Sequence, residues 1–274
     1  PIGDWDVSSV TNMFDMFNEA TSFNQNIGGW NVSNVTVMRN TFLKAESFNQ
    51  PIGDWDVSSV TNMFDMFKEA TSFNQNIGGW NVSNVTVMQG TFLKAESFNQ
   101  PIGDWDVSNV TNMIAMFDDA TSFNQPIGNW NVSNVTAMNN MFKDATSFNQ
   151  PIGNWNVSNV TAMLGMFAFA PSFNQDIGDW DVSSVTSMTS MFNSSGLNTC
   201  NYDNTLQGWS TLDLTPNLTL DAIGITYCDS ESERQSIIDD FGWTIDDGGL
   251  NCTDECLVCA INDGNIQAAV DLWI

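Results

Sequence analysis

Apolar residues recur along the first 200 positions with a fixed period of 25, through eight units and without one insertion or deletion. The units begin at Pro1, Asn26, Pro51, Asn76, Pro101, Pro126, Pro151 and Asp176. In the first, the apolar positions are Ile2, Trp5, Val7, Val10, Met13, Met16, Phe17, Ala20 and Phe23. Trp5 and Val7 alternate with Asp4, Asp6 and Ser8, which predicts a short strand with its apolar side chains inward. Val10, Met13, Phe17 and Ala20 follow at helical spacing and predict the inward stripe of a short helix or turn, with Ser8 or Ser9 as a helix cap. The fold class predicted is an α/β repeat solenoid. In it, one short parallel strand and one short helix per unit wind into a right-handed coil like that of leucine-rich repeats. A coil this short buries its apolar side only by stacking on its neighbours.

The recurrent Trp, Phe and Met are expected in the core, where aromatic rings bury the most area and Met fills gaps. Asn24 and Gln25, repeated through Asn174 and Gln175, are expected to form hydrogen-bonded ladders that satisfy turn backbone between units. Residues 1–50 and 51–100 differ only at Asn18/Lys68, Arg39/Gln89 and Asn40/Gly90, the mark of a recent duplication of two units.

The pattern fails after Phe192. Residues 201–252 read as a capping unit with a helix near Leu206 and Trp209, a strand from Leu218 to Tyr227, and a helix-to-strand return from Ile237 to Ile245. Residues 253–274 read as a linker or the start of a further module, with Ile266, Ala269, Val270 and Trp273 on one helical stripe. Pro1 falls in mid-motif, so a fragment or processed chain is expected.

Composition narrows the function. Asp and Glu total 32 against 6 Lys and Arg, a formal charge of −26, and there is no histidine. Nucleic-acid binding needs cations to displace phosphate counterions, so that class is not expected. Triads, metal sites and pH switches that use His are excluded, and the apolar runs are too short to span a membrane. Repeated D-x-D pairs could suggest the carboxylates of a glycosidase, but catalysis needs one site with split pKa values rather than a ladder of equivalent copies. No enzyme and no cofactor is expected, unless calcium.

The outward positions carry the candidate chemistry. One column reads Asp4, Gly29, Asp54, Gly79, Asp104, Asn129, Asn154, Asp179; the other reads Asp6, Asn31, Asp56, Asn81, Asp106, Asn131, Asn156, Asp181. Neither places aspartates on adjacent units, which limits like-charge repulsion and fits a solvated acidic face. The alternative is weak calcium binding by the hard oxygens of Asp4, Asp6, Asp54, Asp56, Asp104, Asp106, Asp179 and Asp181. N-x-[ST] sequons occur at Asn31, Asn34, Asn81, Asn84, Asn109, Asn131, Asn134, Asn156, Asn159, Asn193, Asn217 and Asn251. In a eukaryotic secreted protein these would accept glycans; otherwise they serve as turn and ladder residues.

All five cysteines, Cys200, Cys228, Cys252, Cys256 and Cys259, follow the repeats. Disulfides tying the last unit to the cap are expected, with Cys200–Cys228 preferred and Cys252 paired to Cys256 or Cys259. A zinc site from C-x₃-C-x₂-C is the alternative.

The unit W-[DN]-V-S-x-V-T-x-M-x-x-[MT]-F-x-x-A-x-x-F-N-Q, seen from Trp5 to Gln25 and through Trp155 to Gln175, resembles the BspA-like surface-protein repeat, a relative of leucine-rich repeats. The resemblance covers residues 1–200. It implies an extracellular, cell-surface or secreted protein that adheres to protein or glycan ligands, with no catalytic residues to carry over. Two function classes follow: an adhesin-like module acting through many weak contacts, or a structural subunit that packs against further copies of itself in a filament.

Overall fold

The computed structural model describes residues 2–252. Each 25-residue unit is hydrogen-bonded to the next, and the chain is a repeat protein whose sheet is one residue wide per unit. Parallel bridges run Asn12–Val37–Asn62–Val87–Asn112–Ala137–Ala162–Ser187. Beside them the N–H of each threonine from Thr36 to Thr186 donates to the carbonyl of the threonine one unit back, at 2.8–2.9 Å.

Both predicted elements of the unit need correction. The strand is not at Trp5–Val7. There the backbone closes local turns, with Trp5 N–H donating to Ile2 O and Val10 N–H to Val7 O, and the parallel pairing lies at Asn12 and its equivalents. Nor do residues 13–20 form a helix: among the described residues the α-helices, α1 (Thr199–Ser210) and α2 (Glu231–Phe241), both follow the repeats. The reason is a division of hydrogen bonds. Met13, Asp15, Phe17 and Glu19 send their N–H groups to carbonyls of the next unit, while those of Met16, Asn18 and Ala20 close turns three residues back. A helix would spend all of them within the unit. Alternation requires a left-handed residue at positions 15 and 19 of every unit, for example Asp15 (φ 57°), Glu19 (φ 59°), Gly90 (φ 62°) and Lys94 (φ 57°). Each such L-residue costs about 1–2 kcal/mol, offset by the bonds between units that it permits.

The inward set is as the periodicity predicts from the second unit on, whereas in the first Ile2, Val10, Met16, Ala20 and Phe23 are only partly buried. Trp30, Trp55, Trp80, Trp105, Trp130, Trp155 and Trp180 are buried, but Trp5 is 58% exposed. Tryptophan rings of successive units stack at about 6.4 Å, as in Trp30–Trp55, and Phe17 packs 4.1 Å from Phe23 and 5.4 Å from Phe42. The Asn/Gln ladders are present: Asn24 Oδ1 accepts from Asn49 N–H and from Gln50 Nε2, both at 3.0 Å. The same pair of bonds runs on to Asn149, which receives Asn174 N–H and Gln175 Nε2.

The cap extends these ladders. β1 (Thr219–Ala222) bridges Met188 through Leu220 and pairs in parallel with β2 (Thr244–Asp247). Asn201 Nδ2 continues the asparagine ladder onto Asn174 Oδ1 at 2.8 Å, and Trp209 of α1 stacks 6.4 Å from Phe192. Buried Asp203 accepts from Cys228 and Asp229 N–H and from Ser230 Oγ, fixing the entry to α2. Arg234 Nε donates to Asp247 Oδ2 at 2.7 Å, the acceptor that Tyr202 OH also uses. Burial, followed by the Asp247 charge, pushes the Tyr202 hydroxyl well above its ordinary pKa.

The preferred disulfide is overturned. Cys228 pairs with Cys252, not with Cys200, and Cys252 is thereby excluded from bonding Cys256 or Cys259. Tyr227 bridges Leu250 in parallel, which places the two cysteines side by side with Cα atoms 4.9 Å apart, within bonding reach. Cys200 is disulfide-bonded as well. Cys256, Cys259 and the proposed module at 253–274 lie outside the described residues.

Candidate functional site

The turn that replaces the predicted strand shapes the outward face. In all eight units the side chain at position 6 accepts the N–H of the serine two residues on, at 3.0–3.2 Å, as in Ser8 to Asp6 and Ser133 to Asn131. Asp and Asn exchange freely here because one Oδ1 suffices. Where the residue is Asp6, Asp56 or Asp106, the serine hydroxyl and then the serine N–H lower the carboxyl pKa. The cap leaves Oδ2 of each aspartate outward.

All eight of the aspartates considered for calcium are exposed. Asp6, Asp56, Asp106 and Asp181 cap their turns. Asp54 lines an open groove of ≈ 420 Å³ with Asn26, Gly28, Pro51, Gln75 and Asn76. The structure does not gather these eight in threes. Among the described residues, the group whose carboxylate atoms approach within 4.8 Å is Asp118, Asp119 and Asp144, none of them at position 4 or 6. Sequence reasoning missed it because Asp118 and Asp144 stand 26 residues apart, at positions 18 and 19 of consecutive units. Lys143 sits among them, 3.6 Å from Asp118 and in contact with Asp144. Burial is the main cause that raises the Asp118 pKa to about 6; Lys143 pulls it down, and Asp119 and Asp144 push it up.

The sequon asparagines fall into two geometries. Asn34, Asn84, Asn109, Asn134 and Asn159 donate Nδ2 to a serine carbonyl of the preceding unit at 2.7–2.8 Å. Asn31, Asn81, Asn131 and Asn156 instead cap their own turns through Oδ1. Asn193 is half-buried, while Asn217 and Asn251 are exposed in the cap.

Cations avoid the Asp/Asn face. Arg39, Lys44, Lys68, Lys94 and Lys143, all the cations of residues 1–200, occupy positions 14, 18 and 19 of their units. Positions 4 and 6 are therefore acidic and amide-rich, while positions 14 to 19 carry charges of both signs. No helix among the described residues is long and apolar enough to cross a membrane.

Stacked 25-residue units with in-register hydrogen bonds and a capping unit define a repeat protein. The model of a family described as Mycoplasma proteins of unknown function, DUF285, matches residues 1–103 and again residues 88–209, and the chain belongs to that family. No curated protein and no solved structure matches it.

Proposed function

We propose that the chain is an extracellular interaction protein, adhesin-like and related to BspA-like surface proteins. Its units would form a right-handed solenoid of the leucine-rich-repeat kind, presenting the Asp/Asn face to a protein or glycan ligand at a cell surface or matrix. The observation that carries this reading is the position-6 turn. Eight copies hold an outward Asp or Asn in the same hydrogen-bonded geometry, on a face without a cation. Such a face offers acceptors and amide donors to basic or hydroxyl-rich partners. The groove beside Asp54 is open rather than enclosed, and strength would come from many contacts at once.

The test is retention of the purified chain on immobilised matrix proteins and glycans at low and high surface density, with and without CaCl₂. Multivalent binding predicts retention that rises faster than ligand density. No retention on any coating, or retention strictly proportional to density, would refute this reading.

A further inference from the structure

Positions 14 to 19 of the first four units form a ridge whose charges alternate. At position 19 the order is Glu19, Lys44, Glu69, Lys94. Lys44 bridges Glu19 across the unit boundary at 2.9 Å, yet both side chains remain accessible, 41% and 66% exposed. At position 14, Arg39 is held between two aromatic rings, 5.4 Å from the Phe14 centroid and 4.7 Å from that of Phe64. Phe14 is 48% exposed. Within this ridge the four acids Asp15, Glu19, Asp65 and Glu69 are matched by Arg39, Lys44, Lys68 and Lys94, so its net charge is zero on a chain of −26. The three differences between the duplicated halves, Asn18/Lys68, Arg39/Gln89 and Asn40/Gly90, all fall on it. Two of them supply the cations, Arg39 and Lys68, without which the ridge would be acidic.

We propose that this ridge is a self-association surface that pairs two copies of the chain about a two-fold axis. The order Glu-Lys-Glu-Lys read backwards is Lys-Glu-Lys-Glu. An axis lying in the contact plane, across the ridge between the second and third units, therefore sets Glu19 against Lys94 of the second copy and Lys44 against its Glu69. The same operation sets Arg39 against Phe64, a cation over a ring, and Phe14 against Gln89. An isologous contact demands this self-complementarity. Local neutrality matters as much as pairing, because elsewhere two copies meet acid against acid. The proposal is independent of the ligand face, which uses positions 4 and 6 and none of these residues.

Sedimentation equilibrium at about 0.15 M salt, where surface charges still act over about 8 Å, tests it with two charge-reversed variants. Glu19→Lys/Glu69→Lys makes all four position-19 residues basic; Lys44→Glu/Lys94→Glu makes all four acidic. Wild type should weigh twice 30.2 kDa. Each variant alone should dissociate, by at least about tenfold in Kd, and an equimolar mixture should pair again. Lys94→Gln, a single change at an exposed position, should weaken the wild-type dimer without a partner that restores it. A monomeric wild type, variants that dimerise unaided, a mixture that stays monomeric, or growth beyond the dimer would each overturn the proposal.

Discussion

Trp30 donates its indole N–H to the main-chain carbonyl of Ile2, 3.1 Å away in the preceding unit. The same bond recurs at 3.0–3.2 Å from Trp55 to Ile27 and on through Trp180 to Ile152. Each tryptophan thus buries a ring and ties its unit to the preceding one through a carbonyl that also closes a local turn. Trp105→Ala should cost about 3–5 kcal/mol, read as a lower urea midpoint. Trp105→Phe keeps most of the apolar area and removes only the indole bond to the Ile77 carbonyl, which still accepts Trp80 N–H, so it should cost less than Trp105→Ala, about 0.5–1.5 kcal/mol. Trp5→Ala should cost much less than Trp105→Ala, since that ring is 58% exposed.

Adjacent glycines should respond in opposite ways. A Cβ on Gly78 would lie 2.3 Å from the backbone oxygen of Pro101 in the next unit, whereas one on Gly79 meets nothing within 4 Å. Gly78→Ala should therefore destabilise by about 1–3 kcal/mol or more, since backbone must move. Gly79→Ala should be neutral or stabilise by up to about 1 kcal/mol through the unfolded chain. Thermal melts of the two single variants decide the matter. Equal effects would contradict the stacking geometry.

Asp118 gives the array an unusual pH response. Its pKa in the folded chain is about 6, above the ordinary 3.8, chiefly through burial. A carboxyl raised in this way contributes stability below its unfolded pKa, and the contribution is lost as pH rises through about 6. Asp118→Asn should accordingly melt higher than wild type near pH 8, with the difference shrinking toward pH 4. The opposite sign holds for Asp6, Asp56 and Asp106, whose pKa values the serine bonds lower. Their contribution is present above the ordinary carboxylate range and lost as pH falls below it.

Thr91 tests the turns that stand where a helix was expected. Its buried Oγ1 donates toward the carbonyls of Met63 and Met88, at 3.0 and 2.9 Å. Thr91→Val keeps shape and removes the hydroxyl donor while both carbonyls keep a backbone donor, which should cost about 0.5–1.5 kcal/mol. Far-ultraviolet circular dichroism of wild type should show far less helix than one helix per unit would give, since among the described residues the α-helices lie at Thr199–Ser210 and Glu231–Phe241.

Period, inward residues, the Asn/Gln ladders and the cap's elements were legible in the sequence, because each repeats or sits at fixed spacing. The local backbone was not. Met13, Met16, Phe17 and Ala20 stand at spacings that a helix and a run of left-handed turns both satisfy. The deciding signal was Asp15 and Glu19, which take positive φ at positions where an ordinary surface helix also carries polar residues. Asp6 was legible as outward but not as a cap, since serine two residues on reads equally well as strand or turn. The Cys228–Cys252 bond depends on Tyr227 lying beside Leu250, a pairing distant in sequence that spacing does not encode. The Asp118–Asp144 contact likewise required the register between consecutive units.

The most direct test of the proposed ligand face compares two triple variants of equal charge for attachment to a coating that retains wild type. One removes Asp54, Asp104 and Asp179 from position 4, where no turn cap is lost; the other removes the exposed acids Glu46, Glu96 and Glu231, none of them at position 4 or 6 of a unit, all by substitution with alanine. Attachment should fall steeply in the first variant and stay near wild type in the second. Equal behaviour of the two would contradict the assignment, leaving binding to net charge or to another surface.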